Sequence, residues 1–296
     1  MGSSQVAGLG EIETPIVLTN TLSVPRAADA ILDWTLSRPG AREIRSINPV
    51  VGETNDGKLN AIEKRVLTSV QILKAIESAS SDPPAEGNVG AGTGTVAFGW
   101  KGGIGTSSRV LPQSLGGYCV GVLVQSNFGG VLQILGVPIG RLLEQHYLRA
   151  ELAEPAGFAK PTGVTDATAD GSIMIIVATD APLSDRNLTR LAWRSFAGLA
   201  RTGSSFVNCS GDYAIAFSTA ESVRRTAERR ANVTTVCELP NESMSPLFQA
   251  VIEATEEAIY NSLLMAEAMT GRDNTTIEAL PIGTVVGAMR KHRAMV

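Results

Sequence analysis

A serine at a loop–strand boundary is the residue of this sequence best placed to do chemistry. Asp170-Gly171-Ser172 runs directly into Ile173-Met174-Ile175-Ile176-Val177-Ala178-Thr179-Asp180, which has the composition of a buried strand. If the Ser172 hydroxyl attacks the Gly171 carbonyl, the chain is cut and Ser172 becomes a new N-terminus. Such a residue carries a nucleophile and, in its α-amine, a base for that nucleophile. The junction therefore predicts either a self-activating hydrolase or, more plainly, a loop entering a core strand.

Other residues could complete such a site. Asn127 ends the run Val122-Leu123-Val124-Gln125 and precedes Phe128-Gly129-Gly130. Its rigid, uncharged amide suits an oxyanion, and the same composition also serves a simple turn. Ser210-Gly211-Asp212 offers a hydroxyl–carboxylate pair that could orient an N-terminal serine or relay its proton; otherwise it too is a turn. Glu53, in the turn-rich Asn48–Gly57 segment, would pair with a substrate ammonium or stay solvated. The glycine block from Gly87 to Ser108 contains Gly90-Ala91-Gly92-Thr93-Gly94-Thr95. It lacks the Gly-Lys-Ser/Thr ending of a phosphate loop and fits no dinucleotide fingerprint, which leaves tight turns or the backbone lining of a cleft.

Composition narrows the function further. Lys and Arg number 25 against 29 Asp and Glu, a net charge of −4, which argues against a nucleic-acid-binding surface. Cys119, Cys209 and Cys237 are far apart and make neither a metal spacing nor a disulfide framework, the usage of a reducing compartment. His146 and His292 lie in polar stretches, so a histidine triad or a His-rich metal site is not expected, and neither metal nor cofactor is called for. The most apolar stretch, Gly121 to Ile139, is interrupted by Gln125, Asn127 and Gln133, so it is no membrane span. Met1 is not followed by a charged start and an apolar run. A cytoplasmic location is expected, or a periplasmic one if an export signal precedes Met1.

The elements that must carry these residues alternate along the 296-residue chain. Strands are predicted at 15–19, 118–125, 131–135, 172–178 and 212–218. Helices are predicted at 26–36, about 60–78, from Ser184 or Asp185 to before Gly203, and from Ser245-Pro246 to about Thr270, each with apolar residues at helical spacing. Residues 144–171 are small and polar and read as a flexible linker ending at the suspected cut. The pattern is that of one layered α/β domain.

Taken together, the runs resemble the family of L-aminopeptidase/D-esterases and β-peptidyl aminopeptidases, the DmpA-like enzymes. The matching runs are Leu18–Thr21, Asn48–Gly57, Gly90–Thr95, Gly102–Ser107, Val124–Gly129, Gly171–Ile175, Ala178–Leu183, Ser210–Ser218 and Met269–Asp273, in order over nearly the whole sequence. The resemblance implies a four-layer αββα sandwich like that of N-terminal-nucleophile hydrolases. It implies autoproteolysis between Gly171 and Ser172 into an α-chain, 1–171, and a β-chain, 172–296, which stay associated. Ser172 maps onto the nucleophile, Asn127 onto the oxyanion donor, and Ser210 and Asp212 onto the pair that assists the nucleophile. Glu53 maps onto the carboxylate that holds the substrate amine, with Gly92 and Gly94 in the substrate-binding loop. The implied substrates are short peptides, amides and esters, with D- or β-amino acids accepted by some members, and the implied assembly is a tetramer of αβ units or larger. Two features depart from the family. Family members usually carry several tens of residues before the segment matching Gly8-Leu9-Gly10, so a form without those N-terminal strands is expected, and Lys58 stands where an aromatic is expected. The first departure raises the alternative of a truncated, inactive homologue serving as a scaffold or assembly subunit, and a further alternative is a linear amide-oligomer hydrolase, which the same fold serves.

Overall fold

The computed structural model describes residues 1–153, 171–208 and 210–294. In chain order the elements that frame the site are β1 (Ile16–Asn20), α1 (Val24–Leu36), β2 (Val50–Thr54), α2 (Ser69–Glu77), β3 (Ile104–Val110), β4 (Cys119–Asn127), β5 (Ser172–Thr179), α3 (Asp185–Arg201), β6 (Gly211–Ser218), α4 (Ser245–Leu264) and α5 (Ile282–Lys291). The main sheet has the order β3-β4-β5-β6. Its first three strands are antiparallel neighbours, whereas β5 and β6 run parallel, so α3 is their crossover.

Alternation sorts the two faces of this sheet. Val120, Val122 and Val124 of β4 and Ile173, Ile175 and Val177 of β5 are at most 3 % exposed and pack against α3 and α4. Helix α4 lies very close to β3: a Cβ at Gly105 would stand 1.9 Å from the Ala258 carbonyl oxygen, so only glycine admits this approach. The opposite face meets a parallel pair formed by β1 and β2, with Met174 of β5 resting on Gly52 of β2. Helices α1 and α2 cover the far side of that pair through Ala27, Ala30, Ile31, Val51 and Ile72. The layer order is therefore α3/α4, main sheet, β1/β2, α1/α2, the αββα sandwich expected, with an inner second sheet of two strands among the described residues.

Several expected boundaries moved. The helix expected over 60–78 begins only at Ser69. Arg65 takes a positive φ of 45°, and Thr68 and Gln71 form a reciprocal capping box that starts α2. The helix expected to reach Thr270 stops at Leu264, because the following chain is held by the glycine block: Asn88 Nδ2 donates to the Glu267 carbonyl at 2.8 Å and Asn88 Oδ1 accepts from the Glu267 N–H at 3.2 Å. Residues 131–135 are not a strand. Val131 and Gln133 donate instead to the carbonyls of Gly203 and Thr202, past the end of α3. Residues 50–54, expected within a loop, form strand β2, and strand β3, helix α5 and a short helix over Ser3–Leu9 have no counterpart in the sequence reading. Of the expected linker 144–171, Arg149–Ala153 form a short helix, and 154–170 lie outside the described residues, as does Cys209.

Candidate active site

Three strand ends meet where the sequence places its chemistry. The ladder of β4 with β5 pairs Asn127 with Ser172, and that of β5 with β6 pairs Ser172 with Gly211. Because paired residues share a face, the Asn127 amide and the Ser172 hydroxyl both point toward the β1/β2 layer. Both are buried, at 4 % and 8 % exposure.

Gly171 is the most constrained residue of the site. Its φ is +147°, and a Cβ there would lie 1.9 Å from the Asn127 carbonyl oxygen and 3.0 Å from Asn127 Nδ2. The Gly171 carbonyl oxygen accepts the Gly211 N–H at 3.3 Å. The peptide group before Ser172 is thus gripped from both flanking strands, at a backbone conformation that a side chain would not tolerate.

The Asn127 amide is fixed at both ends. Its Oδ1 accepts the Val96 N–H at 3.0 Å, and its Nδ2 donates to the Asn55 carbonyl at 3.0 Å. These bonds turn the nitrogen, not the oxygen, toward Gly171, and two hydrogens on Nδ2 leave one for a ligand.

Ser210 and Asp212 bond to each other, the Ser210 hydroxyl donating to Asp212 Oδ1 at 2.7 Å. Asp212 pairs with Ile173 in the ladder and accepts the Ile173 N–H. Burial raises its carboxyl pKa above the ordinary value, and these two hydrogen bonds partly offset the rise. Among the described residues neither Ser210 nor Asp212 hydrogen-bonds the Ser172 hydroxyl. They flank Gly211, whose N–H holds the Gly171 carbonyl oxygen.

Glu53, next to last in β2, accepts a hydrogen bond from the Thr21 hydroxyl. It lines a cleft of about 1380 Å³ that runs between the N-terminal segment and the β5–β6 face and includes Met174, Ile176 and Tyr213. Ser172 and Asn127 lie outside the lining of this cleft. The structure does not bring the Glu53 carboxylate to Ser172: Gly52 and Thr54 of β2 face the main sheet and Glu53 alternates with them, so its link to the site is only the strand that leads to the Asn55 carbonyl, which holds Asn127.

Gly92 and Gly94 lie in the glycine loop that leads to Val96, whose N–H donates to Asn127. Gly92 has no room for a Cβ against the Gly103–Ile104 backbone, and Gly94 packs on the Asp56 side chain. Lys101, fully buried, donates to the carbonyls of Gly92, Thr95 and Gly102 at 2.9, 2.9 and 2.6 Å. Nothing in the local sequence Trp100-Lys101-Gly102-Gly103 marks that lysine as interior, and sequence reasoning missed it. Among the described residues no group of three or more His, Cys, Asp or Glu is placed to hold a metal ion, and no helix is long and apolar enough to cross a membrane.

Comparison with known proteins gives matches over nearly the whole chain. The model of peptidase family S58 covers residues 1–277. A β-peptidyl aminopeptidase, BapA, of Sphingosinicella microcystinivorans is 41% identical over 290 residues, 97% of this chain and 71% of its own length. The PH0078 protein of Pyrococcus horikoshii OT3 superposes with a TM-score of 0.84 at 42% identity, over 98% of this chain and 76% of that one. The L-aminopeptidase D-Ala-esterase/amidase of Ochrobactrum anthropi, described as a new variant among the Ntn hydrolase fold and a prototype for the serine aminopeptidases, gives a TM-score of 0.81 at 33% identity, over 94% of this chain and 74% of that one. The α/β sandwich described above is of this Ntn-hydrolase type.

Proposed function

Because the chain belongs to peptidase family S58, we propose that it is a self-processing serine aminopeptidase, which releases N-terminal residues from short peptides, amides and esters. The observation that carries this reading is the Gly171–Ser172 peptide, held between Asn127 and Gly211 at a glycine-only conformation. The relatives, named as aminopeptidases, weigh against the alternative of an inactive scaffold.

In the first reaction Ser172 Oγ attacks the Gly171 carbonyl carbon. The Gly171–Ser172 C–N bond breaks as the nitrogen takes a proton and leaves as the α-amine, and Gly171 is then esterified to Oγ. Water hydrolyses that ester, freeing the Gly171 carboxylate. The Gly211 N–H, already on the Gly171 oxygen, and Asn127 Nδ2 supply donors for the charge that develops there. Ser210 and Asp212 receive the new α-amine.

In turnover the Ser172 α-amine takes the hydroxyl proton as Oγ attacks the substrate acyl carbon, and Asn127 holds the oxyanion. Glu53 pairs with the ammonium of the substrate. A model-peptide α-amine titrates at about 7.7–8.0, so it can act as a base near neutral pH. The two chains remain associated, and their αβ units assemble as tetramers or larger in a reducing, cytoplasmic setting; D- or β-residues and linear amide oligomers are to be compared in a substrate panel. The test is a denaturing gel with intact mass, followed by an aminoacyl-anilide assay. Two fragments meeting at Gly171/Ser172 and hydrolysis of the anilide are expected. A single uncut chain without activity overturns the reading.

A further inference from the structure

The most deeply buried charged group among the described residues lies one peptide away from Asn127. The Lys101 side chain is 0 % exposed. Its Nζ donates to three carbonyl oxygens, of Gly92, Thr95 and Gly102. A neutral amine offers only two N–H groups, so three carbonyl partners require the ammonium. Burial pushes the Lys101 pKa down to about 8, and Asp56 opposes the shift. A group whose hydrogens are all committed to carbonyls is no base for Ser172, and an uncompensated buried cation is costly to keep. Its value has to lie in what those carbonyls belong to.

One of them leads straight to the site. The Thr95 carbonyl and the Val96 N–H belong to the same peptide group. Its oxygen accepts from Lys101 Nζ at 2.9 Å, and its N–H donates to Asn127 Oδ1 at 3.0 Å. The peptide is thus a single rigid bridge between ammonium and amide. Two effects follow. The bridge fixes which way the amide faces, since only Oδ1 can accept from Val96. Inverted, it would present a carbonyl oxygen to a developing oxyanion. A cation on the oxygen of the bridge also polarises its N–H, which draws density from Oδ1 and strengthens Nδ2 as a donor. The other two bonds, to Gly92 and Gly102, hold the glycine loop and the turn after Lys101 in register with that bridge.

We propose that Lys101 is a positioning residue for Asn127, acting through the Thr95–Val96 peptide to keep Nδ2 turned toward the reacting carbonyl. The inference rests on the assignment of Asn127 as an oxyanion donor. Lys101 touches neither substrate nor nucleophile, and its effect is felt only where negative charge builds up.

The experiment is a double-mutant cycle on the full chain, read as the rate of self-cleavage on a denaturing gel and, for processed material, as kcat and KM on an aminoacyl-anilide. The variants are Lys101→Met, Lys101→Gln, Asn127→Ala and the Lys101→Met/Asn127→Ala pair, each checked for folding by circular dichroism. Asn127→Ala is expected to slow cleavage by about 10²–10³, the usual loss for one oxyanion donor. Either Lys101 variant is expected to slow it by about 10–100-fold, with kcat lowered and KM unchanged, and the double variant to be no slower than Asn127→Ala alone. Wild-type rates for the Lys101 variants, losses that multiply in the double variant, or a rise in KM alone would overturn the proposal. So would failure of both Lys101 variants to fold, because the charge would then serve the fold and not the amide. A wild-type chain that does not cut, or an Asn127→Ala chain that cuts normally, instead removes the assignment of Asn127 on which the inference stands.

Discussion

Asn127 and Ser172 stand opposite each other in the β4–β5 ladder, and the carbonyl oxygen of the first closes off the space beside the glycine that precedes the second. The residues that carry the donor, the nucleophile and the carbonyl are thereby brought together by backbone pairing. Effective positioning of this kind contributes several kcal/mol to a reaction barrier.

Replacing the nucleophile gives the plainest outcome. Ser172→Ala should leave one band at full mass, whereas the unaltered chain resolves into fragments 1–171 and 172–296. The alanine variant should be as stable as the parent to within about 1 kcal/mol, since the Ser172 hydroxyl makes no hydrogen bond to a described residue. Intact mass spectrometry and a thermal melt check both.

Gly171→Ala should block cutting even though the nucleophile is intact. At φ +147° the added Cβ meets Asn127 backbone at 1.9 Å, so either the Gly171 carbonyl or β4 must move. A stability loss of about 1–3 kcal/mol is expected, seen as a lower denaturation midpoint. Normal processing of this variant would show that the gripped conformation is irrelevant to the reaction.

Glu53→Gln separates recognition from chemistry. If the carboxylate holds a substrate ammonium, KM for free-amine substrates should rise roughly tenfold or more, the loss of one hydrogen bond to a charged group worth about 1.5–3 kcal/mol. Hydrolysis of an ester lacking the amine should be unchanged. Steady-state kinetics on the two substrate types decide it.

Asp212 makes a prediction in pH. Burial raises its pKa in the folded state above 3.8, so between 3.8 and the folded value the native chain binds the proton and the unfolded chain does not. Stability therefore falls as pH rises through that window and stays lower above it. Asp212→Asn should melt higher than the parent at pH 7, and the gap should close below pH 3.8. Melting curves at the two pH values check the sign. A higher melting point with slower catalysis would show a carboxylate kept at the expense of stability.

The parts of this design written locally were legible in the sequence. Ser172–Thr179 alternates between an apolar helix-facing set and Met174 and Ile176, and α3 and α4 carry continuous apolar faces. Other parts depend on partners distant in the chain. Strand β3 is Ile-Gly-Thr-Ser-Ser-Arg-Val, polar at most positions, and it exists because β4 pairs with it and α4 covers it. The orientation of the Asn127 amide depends on carbonyl and N–H groups at Asn55 and Val96, which no spacing rule connects to it. Lys101 reads as a surface lysine until the carbonyls of three neighbouring residues are seen to converge on it.

The central place of β5 has one more consequence. Its first residue is anchored laterally, by β4 on one side and β6 on the other, so its location owes little to the covalent link behind it. Two polypeptides made from separate messages, one ending at Gly171 and one opening at Ser172, would meet the same lateral anchors. In such an arrangement continuity of the gene is a convenience of delivery, and the sheet is what makes the molecule one.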